Sequence, residues 1–147
     1  MAMAVATCAG VGRVPLAPGT AGSVLALPVY LVFYHQPLGL RVLSLLALVA
    51  LAVWAADRAE RLLGRRDPPS VVIDEVAGLL VALAWLAPSA TVLIVGFLLF
   101  RAFDILKVPP ARWMERRLPG GLAVVMDDLV AGIYANVCLR VILWVLG

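Results

Sequence analysis

Four apolar runs alternate with three polar connections along this chain. The runs cover residues 24–34, 42–56, 76–100 and 129–146, and the connections cover residues 35–39, 57–70 and 101–128. A membrane span needs about 20 apolar residues. The first two runs are short for that, and the third is long but carries Pro88-Ser89 in its middle. Proline removes a backbone donor and breaks or kinks a helix. The basic residues decide between one span and a hairpin: Arg58, Arg61, Arg65 and Arg66 follow the second run, and Lys107, Arg112, Arg116 and Arg117 follow the third. The positive-inside rule places both connections on the cytoplasmic side, and two such connections cannot flank a single crossing. The third run is therefore expected to be two antiparallel helices turning near residues 87–90. Residues 24–34 and 40–56 form a second hairpin turning at His35-Gln36-Pro37, with the N-terminus inside, and the last helix runs outward from Asp127. The expected architecture is all-α: a compact bundle of about five membrane-embedded helices, two hairpins plus a C-terminal helix, in a single domain over residues 1–147. Helices of about 12–17 residues reach only about 18–26 Å, so some fall short of a hydrocarbon core about 30 Å thick.

Composition supports the membrane reading. Hydrophobic residues make up 64% of the 147 and the mean hydropathy is +1.05, against roughly 45–50% apolar residues in a soluble domain. The net charge of +3 comes from arginines beside apolar segments, which suits anionic lipid headgroups better than nucleic acid. Cys8 and Cys138 follow no metal-ligand spacing and read as small buried residues. Residues 1–12 are small and weakly apolar, unlike a cleavable leader. Trp54, Trp85, Trp113 and Trp144 read as interface anchors or core.

The hairpins gather the chemistry. Asp74 lies 14 residues before Pro88 and Asp104 lies 16 after it, so a turn centred there brings both to one level. Asp57 ends the second helix at that level, Asp127-Asp128 start the last helix there, and Ser23 starts the first. Five of the nine acidic residues thus fall in three clusters, Asp74-Glu75, Asp104 and Asp127-Asp128, at the ends of apolar segments. A carboxylate beside hydrocarbon is costly unless a cation offsets it. Oxygen ligands from several segments suit Mg²⁺, which usually comes with a phosphate.

Each cluster also has a plainer explanation. The acidic pairs would serve as helix first-turn residues. Against capping alone, acid-acid-x-x-Gly78 recurs as acid-acid-x-x-Ala131-Gly132. Arg101, Asp104 and Lys107 share a helix face, as a surface ion ladder or as a metal ligand between two phosphate-binding cations. Pro15-Leu-Ala-Pro18-Gly19-Thr20-Ala-Gly22-Ser23 is either a loop with Ser23 as N-cap or an anion-binding helix start. His35, the one histidine, sits in the opposite turn, which argues against a histidine nucleophile.

Taken together the motifs resemble the phosphatidylglycerophosphatase A family. The matching residues are Pro15-x-x-Pro18-Gly19-Thr20-x-Gly22-Ser23; Asp67-x-x-Ser70-x-x-x-Asp74-Glu75-x-x-Gly78; Phe100-Arg101-x-Phe103-Asp104-x-x-Lys107-x-Pro109; and Gly120-Gly121 with Met126-Asp127-Asp128-x-x-Ala131-Gly132. The resemblance implies Mg²⁺-dependent hydrolysis of phosphatidylglycerophosphate to phosphatidylglycerol and phosphate. The protein is then expected as a multi-pass protein of the bacterial inner membrane, its active site facing the cytoplasm, with a homo-oligomer compatible. The expected metal ligands are Asp74, Glu75, Asp104, Asp127 and Asp128, with Lys107 joining them in catalysis. Pro18, Gly19, Thr20, Ser23 and Arg101 are expected at the substrate. Asp67-Pro-Pro-Ser is rich in proline, so the loop before Asp74 is expected to be stiff.

Three other functions fit the sequence less well. A cation transporter or channel would use intramembrane carboxylates as an ion path, but no acidic residue falls near a midplane. A CDP-alcohol phosphotransferase would need Asp-x-x-Asp-Gly-x-x-Ala-Arg, which this chain lacks. A structural subunit would not need so many uncompensated carboxylates.

Overall fold

The computed structural model describes residues 1–110, 113–114 and 117–146, and within them the chain is helical, with no strand. The helices are α1 (Ala2–Ala6), α2 (Pro18–Tyr34), α3 (Leu38–Leu63), α4 (Ile73–Leu83), α5 (Ala90–Leu106) and α6 (Gly120–Leu146). Arg112 and Arg116, invoked for the topology, lie outside the described residues.

The expected α2–α3 hairpin is present. Pro37 is the N-cap of α3, where a missing backbone donor costs little. Arg41 pins the turn by donating to the Gln36 carbonyl at 2.6 Å and lying 4.8 Å from the Tyr34 ring centre. The third run also divides into two helices, but α4 ends at Leu83, earlier than a turn at Pro88 implies. Other side chains take the carbonyls that this early end exposes. Asn136 donates to Val81, Ala82 and Ala84 at 3.3, 2.9 and 3.2 Å, Arg140 donates to Ala84, and Tyr30 donates to Leu86. Ser89 then caps α5 by accepting from the Val92 amide, as a serine N-cap does.

Two boundaries differ more. Helix α3 runs 26 residues, past Asp57 to a left-handed cap at Gly64. Ala, Arg, Glu and Leu favour continuation, and Asp57 pairs with Arg61 one turn on at 2.9 Å. Helix α6 starts at Gly120, so Asp127-Asp128 sit in its third turn rather than at its start. Glycine is a poor helix former, yet Gly121 is needed here: a Cβ on it would lie 2.5 Å from the Val53 carbonyl of α3 and closer still to the Asp57 amide.

Helix α4 lies at the centre, in contact with α2, α3, α5 and α6, and Ala77, Leu79, Leu80 and Leu83 are fully or almost fully buried. The surrounding helices carry apolar side chains outward, among them Val32, Leu43, Leu46, Leu98 and Trp144. Helices α3 and α6 are long and apolar enough to cross a membrane, reaching about 39 Å and 40 Å at 1.5 Å per residue. At 11 residues, or about 17 Å, α4 does not cross alone. Cys8 and Cys138 are free and half-buried rather than fully enclosed.

Candidate metal centre

The acid-acid-x-x-Gly repeat is the mechanism of the site. Helices α4 and α6 touch where Gly132 faces the backbone of Gly78. A Cβ on Gly132 would collide with the Gly78 carbonyl, and one on Gly78 would lie 2.7 Å from the Asp128 carbonyl and 2.6 Å from the Phe100 ring. One turn back from each glycine stand Asp74 and Asp128. The close crossing therefore converges Asp74, Glu75 and Asp128, so that one oxygen of each lies within 4.8 Å of the others. Asp74 and Asp128 are each 5% exposed.

These carboxylates are crowded and dry. Asp74 Oδ1, Glu75 Oε2 and Asp128 Oδ2 are buried with no hydrogen-bond partner among the described residues. A buried polar atom without a partner costs about 1–3 kcal/mol, and more when charged. Asp74 and Glu75 stand in the first turn of α4, outside the two candidate spans. Burial pushes the Asp74 carboxyl up to about 6. Burial, and then the charge of Asp74, pushes Glu75 well above the usual range. Three convergent hard oxygens with unused lone pairs fit a divalent cation.

A cationic frame surrounds the cluster. Arg101 pairs with Asp104 at 2.7 Å and Lys107 pairs with Asp127 at 3.0 Å. The expected ladder of Arg101, Asp104 and Lys107 on one face stops short, because Lys107 is the left-handed cap of α5 at φ 46° and reaches α6. Asp104 and Asp127 are thus held by cations, while the other three acids form the convergent group. All five line one cavity of about 100 Å³ with Lys107.

Asp67 also lines that cavity and is not among the site residues expected from the sequence. Its backbone stands at φ 46° and its amide donates to Glu60 at 2.8 Å. The available signal was its place seven residues before Asp74 in the same motif.

The Pro18–Ser23 stretch is divided. A Cβ on Gly19 would collide with Glu75 Oε1 and lie 3.1 Å from the Arg101 guanidinium, so this first turn of α2 packs on the site. Pro18 is the first residue of α2 and, like Thr20, is half-buried. Ser23 neither starts nor caps the helix. The cap is Ala17, and Ser23 is fully buried with its hydroxyl donating to the Gly19 carbonyl at 2.8 Å. It does not line the cavity.

A family model described as Phosphatidylglycerophosphatase A matches residues 4–143. A Bacteroides thetaiotaomicron protein named "Putative phosphatidylinositol-3-phosphatase" is 38% identical, covering 94% of this chain and 91% of its own length. Phosphatidylglycerophosphatase A of Escherichia coli is 32% identical over 84% of this chain and 73% of its own. That of Haemophilus influenzae is 34% identical, with 86% and 78% covered. No solved structure matches the chain.

Proposed function

We propose, from the premise that this chain belongs to the phosphatidylglycerophosphatase A family, that it is a lipid phosphatase removing the terminal phosphate of phosphatidylglycerophosphate with Mg²⁺ held by Asp74, Glu75 and Asp128. The observation that carries the metal reading is the convergence of three buried carboxylate oxygens, without hydrogen-bond partners among the described residues, in a cavity that Lys107 also lines. A bound Mg²⁺ supplies Lewis-acid polarisation of a phosphoryl oxygen and neutralises charge that develops there. Lys107 and Arg101 add positive charge for the remaining phosphoryl oxygens, with Asp127 and Asp104 fixing their positions. Gly19 lets the first turn of α2 close on Glu75. The cation-transporter reading has no support: the convergent carboxylates belong to one cavity, and the family is a phosphatase family.

The Bacteroides relative is named for a different lipid. In both headgroups, however, three consecutive carbons link the phosphodiester to the phosphomonoester, so one site could accept either. Release of inorganic phosphate by purified protein in mixed micelles tests the reading. Release from phosphatidylglycerophosphate is expected with Mg²⁺ and not with chelator, and phosphatidylinositol 3-phosphate serves as the second substrate. No Mg²⁺-stimulated release from either would overturn it.

Cytoplasmic orientation of the site is part of the proposal and rests on Arg58, Arg61, Arg65 and Arg66 at its end of α3. A cysteine placed at Arg65 should resist an impermeant thiol reagent applied to intact cells and react in inverted vesicles. The opposite pattern would reverse the orientation.

A pH dependence follows from the raised carboxyls. In protein stripped of divalent ions, burial pushes Asp74 up to about 6 and raises Glu75 well above the usual carboxylate range, whereas the unfolded chain releases these protons near pH 4. The folded state binds more protons between those values, so the stability these groups contribute is full below about pH 4 and is lost as pH rises through about 6. Mg²⁺ replaces the protons and should flatten or invert the trend. Thermal unfolding in detergent between about pH 5 and 8, with and without chelator, measures this. Stability that rises with pH in the chelated protein would contradict it.

A further inference from the structure

A lipid phosphatase must seat acyl chains as well as a phosphate. Helices α2 and α5 touch and leave between them a groove of about 160 Å³. It is lined by Val24 and Leu27 of α2 and by Leu93, Ile94, Phe97 and Leu98 of α5, all apolar. Val24, Ile94 and Leu98 are exposed, so the groove opens outward from the bundle. Gly96 sets its depth by packing on α6, where an added Cβ would stand 3.1 Å from the Leu139 side chain. Leu139 lies within the candidate span Gly120–Leu146. The groove therefore runs beside a candidate span, at the level of lipid chains rather than at the tip of the bundle.

Both of its walls end at the site, which distinguishes this strip from other lipid-facing surface. Along α5, Ile94, Leu98 and Arg101 share a face, and Asp104 follows three residues on. Along α2, Thr20 lies four residues before Val24, on the face that continues to Leu27. The inner ends of the two helices meet at Glu75: a Cβ on Gly19 would collide with Glu75 Oε1 and lie 3.1 Å from the Arg101 guanidinium. From Ile94 to Asp104 the α5 wall passes from hydrocarbon to guanidinium to the acidic cavity within about 15 Å. A phosphorylated glycerolipid presents acyl chain, phosphodiester and terminal phosphate in the same order. A second apolar groove, walled by Val32, Phe33 and Leu48, lies toward the far end of α2, with Val32 about 20 Å along the helix from Gly19.

We propose that the groove between α2 and α5 holds one acyl chain of the substrate lipid, and that the headgroup enters the acidic cavity sideways from the bilayer between these two helices. The inference deepens the phosphatase reading and rests on it. Apolar contacts along the chain are the same before and during reaction, so they act on substrate binding more than on turnover. A chain too short to run along the groove gains little from it.

The test measures kcat and KM in mixed micelles for phosphatidylglycerophosphate carrying either palmitoyl or hexanoyl chains. The wild type should show the lower KM for the palmitoyl lipid. Val24→Trp and Ile94→Trp put an indole into the groove from either wall, at exposed positions that leave the core intact. Each should raise the palmitoyl KM about tenfold, the effect of about two methylenes losing apolar contact, with kcat changed less than about threefold. The hexanoyl KM should change less than about twofold, so the preference for long chains falls. Leu43→Trp on the exposed face of α3 and Val32→Trp in the other groove should keep the wild-type preference, and thermal unfolding in detergent confirms that all four variants fold. A wild type indifferent to chain length, an equal loss on both lipids in the groove variants, or the same loss of preference in Val32→Trp overturns the proposal. Turnover of the hexanoyl lipid by the wild type tests the phosphatase reading separately.

Discussion

Asp128→Asn should lower turnover of phosphatidylglycerophosphate by about a hundredfold or more, the size expected when a key electrostatic group is lost from a dry site. Asp128 is buried, belongs to the convergent trio and has an oxygen without a partner among the described residues. Asparagine keeps the volume and removes the charge that would hold the cation. The bundle should remain folded, because neutralising one of three crowded acids relieves repulsion. Asp57→Asn is the control. Asp57 is an acid at the same end of the bundle, but its partner Arg61 is 70% exposed, and such surface pairs are worth little. Initial rates over a Mg²⁺ titration distinguish the two variants. Near wild-type activity in Asp128→Asn, with an unshifted Mg²⁺ dependence, would remove Asp128 from the metal site.

Gly132→Val should damage stability and activity together, with activity lost more completely. A Cβ at Gly132 has no room against the Gly78 carbonyl, and it would stand 3.2 Å from Val81 Cβ. Backbone on both sides of the contact leaves the helices no option but to separate. Overpacking of this kind costs about 1–3 kcal/mol. Moving α6 away from α4 also draws Asp128 from Asp74 and Glu75, so positioning loss of about a hundredfold adds to the stability effect. Gly39→Ala is the contrast, since open space surrounds a Cβ there and alanine favours the helix by about 1 kcal/mol. Thermal unfolding in detergent and phosphate release, measured on both variants, check the expectation. A Gly132→Val protein with wild-type activity would show that the crossing does not build the site.

Much of this arrangement was legible in the sequence. Apolar run lengths, Pro37 and the break around Pro88 gave both hairpins, and the acidic clusters pointed to the residues that line the cavity. The boundaries were harder because tertiary contacts override local preference. Gly120-Gly121 reads as a loop by propensity and becomes helix because α6 must lie against the backbone of α3. The early end of α4 depends on Asn136, more than 50 residues away, which no local pattern announces. Sequence also could not sort five equivalent-looking acids. The left-handed cap at Lys107 sends its ammonium to Asp127, Arg101 takes Asp104, and only then do Asp74, Glu75 and Asp128 stand apart as the convergent group. The meaning of the repeated glycine three or four residues after each acidic pair emerged only with the helix crossing in view.

Direct cation binding tests the central claim most closely. Electron paramagnetic resonance of Mn²⁺ added to chelator-treated protein in detergent, with Mg²⁺ as competitor, reports site occupancy without relying on turnover. The wild type should bind Mn²⁺ and release it to excess Mg²⁺, and Asp74→Asn and Asp128→Asn should each weaken binding at least about tenfold, while Asp57→Asn binds as the wild type does. Equal Mn²⁺ binding by wild type, Asp74→Asn and Asp128→Asn would contradict a metal centre built from these carboxylates.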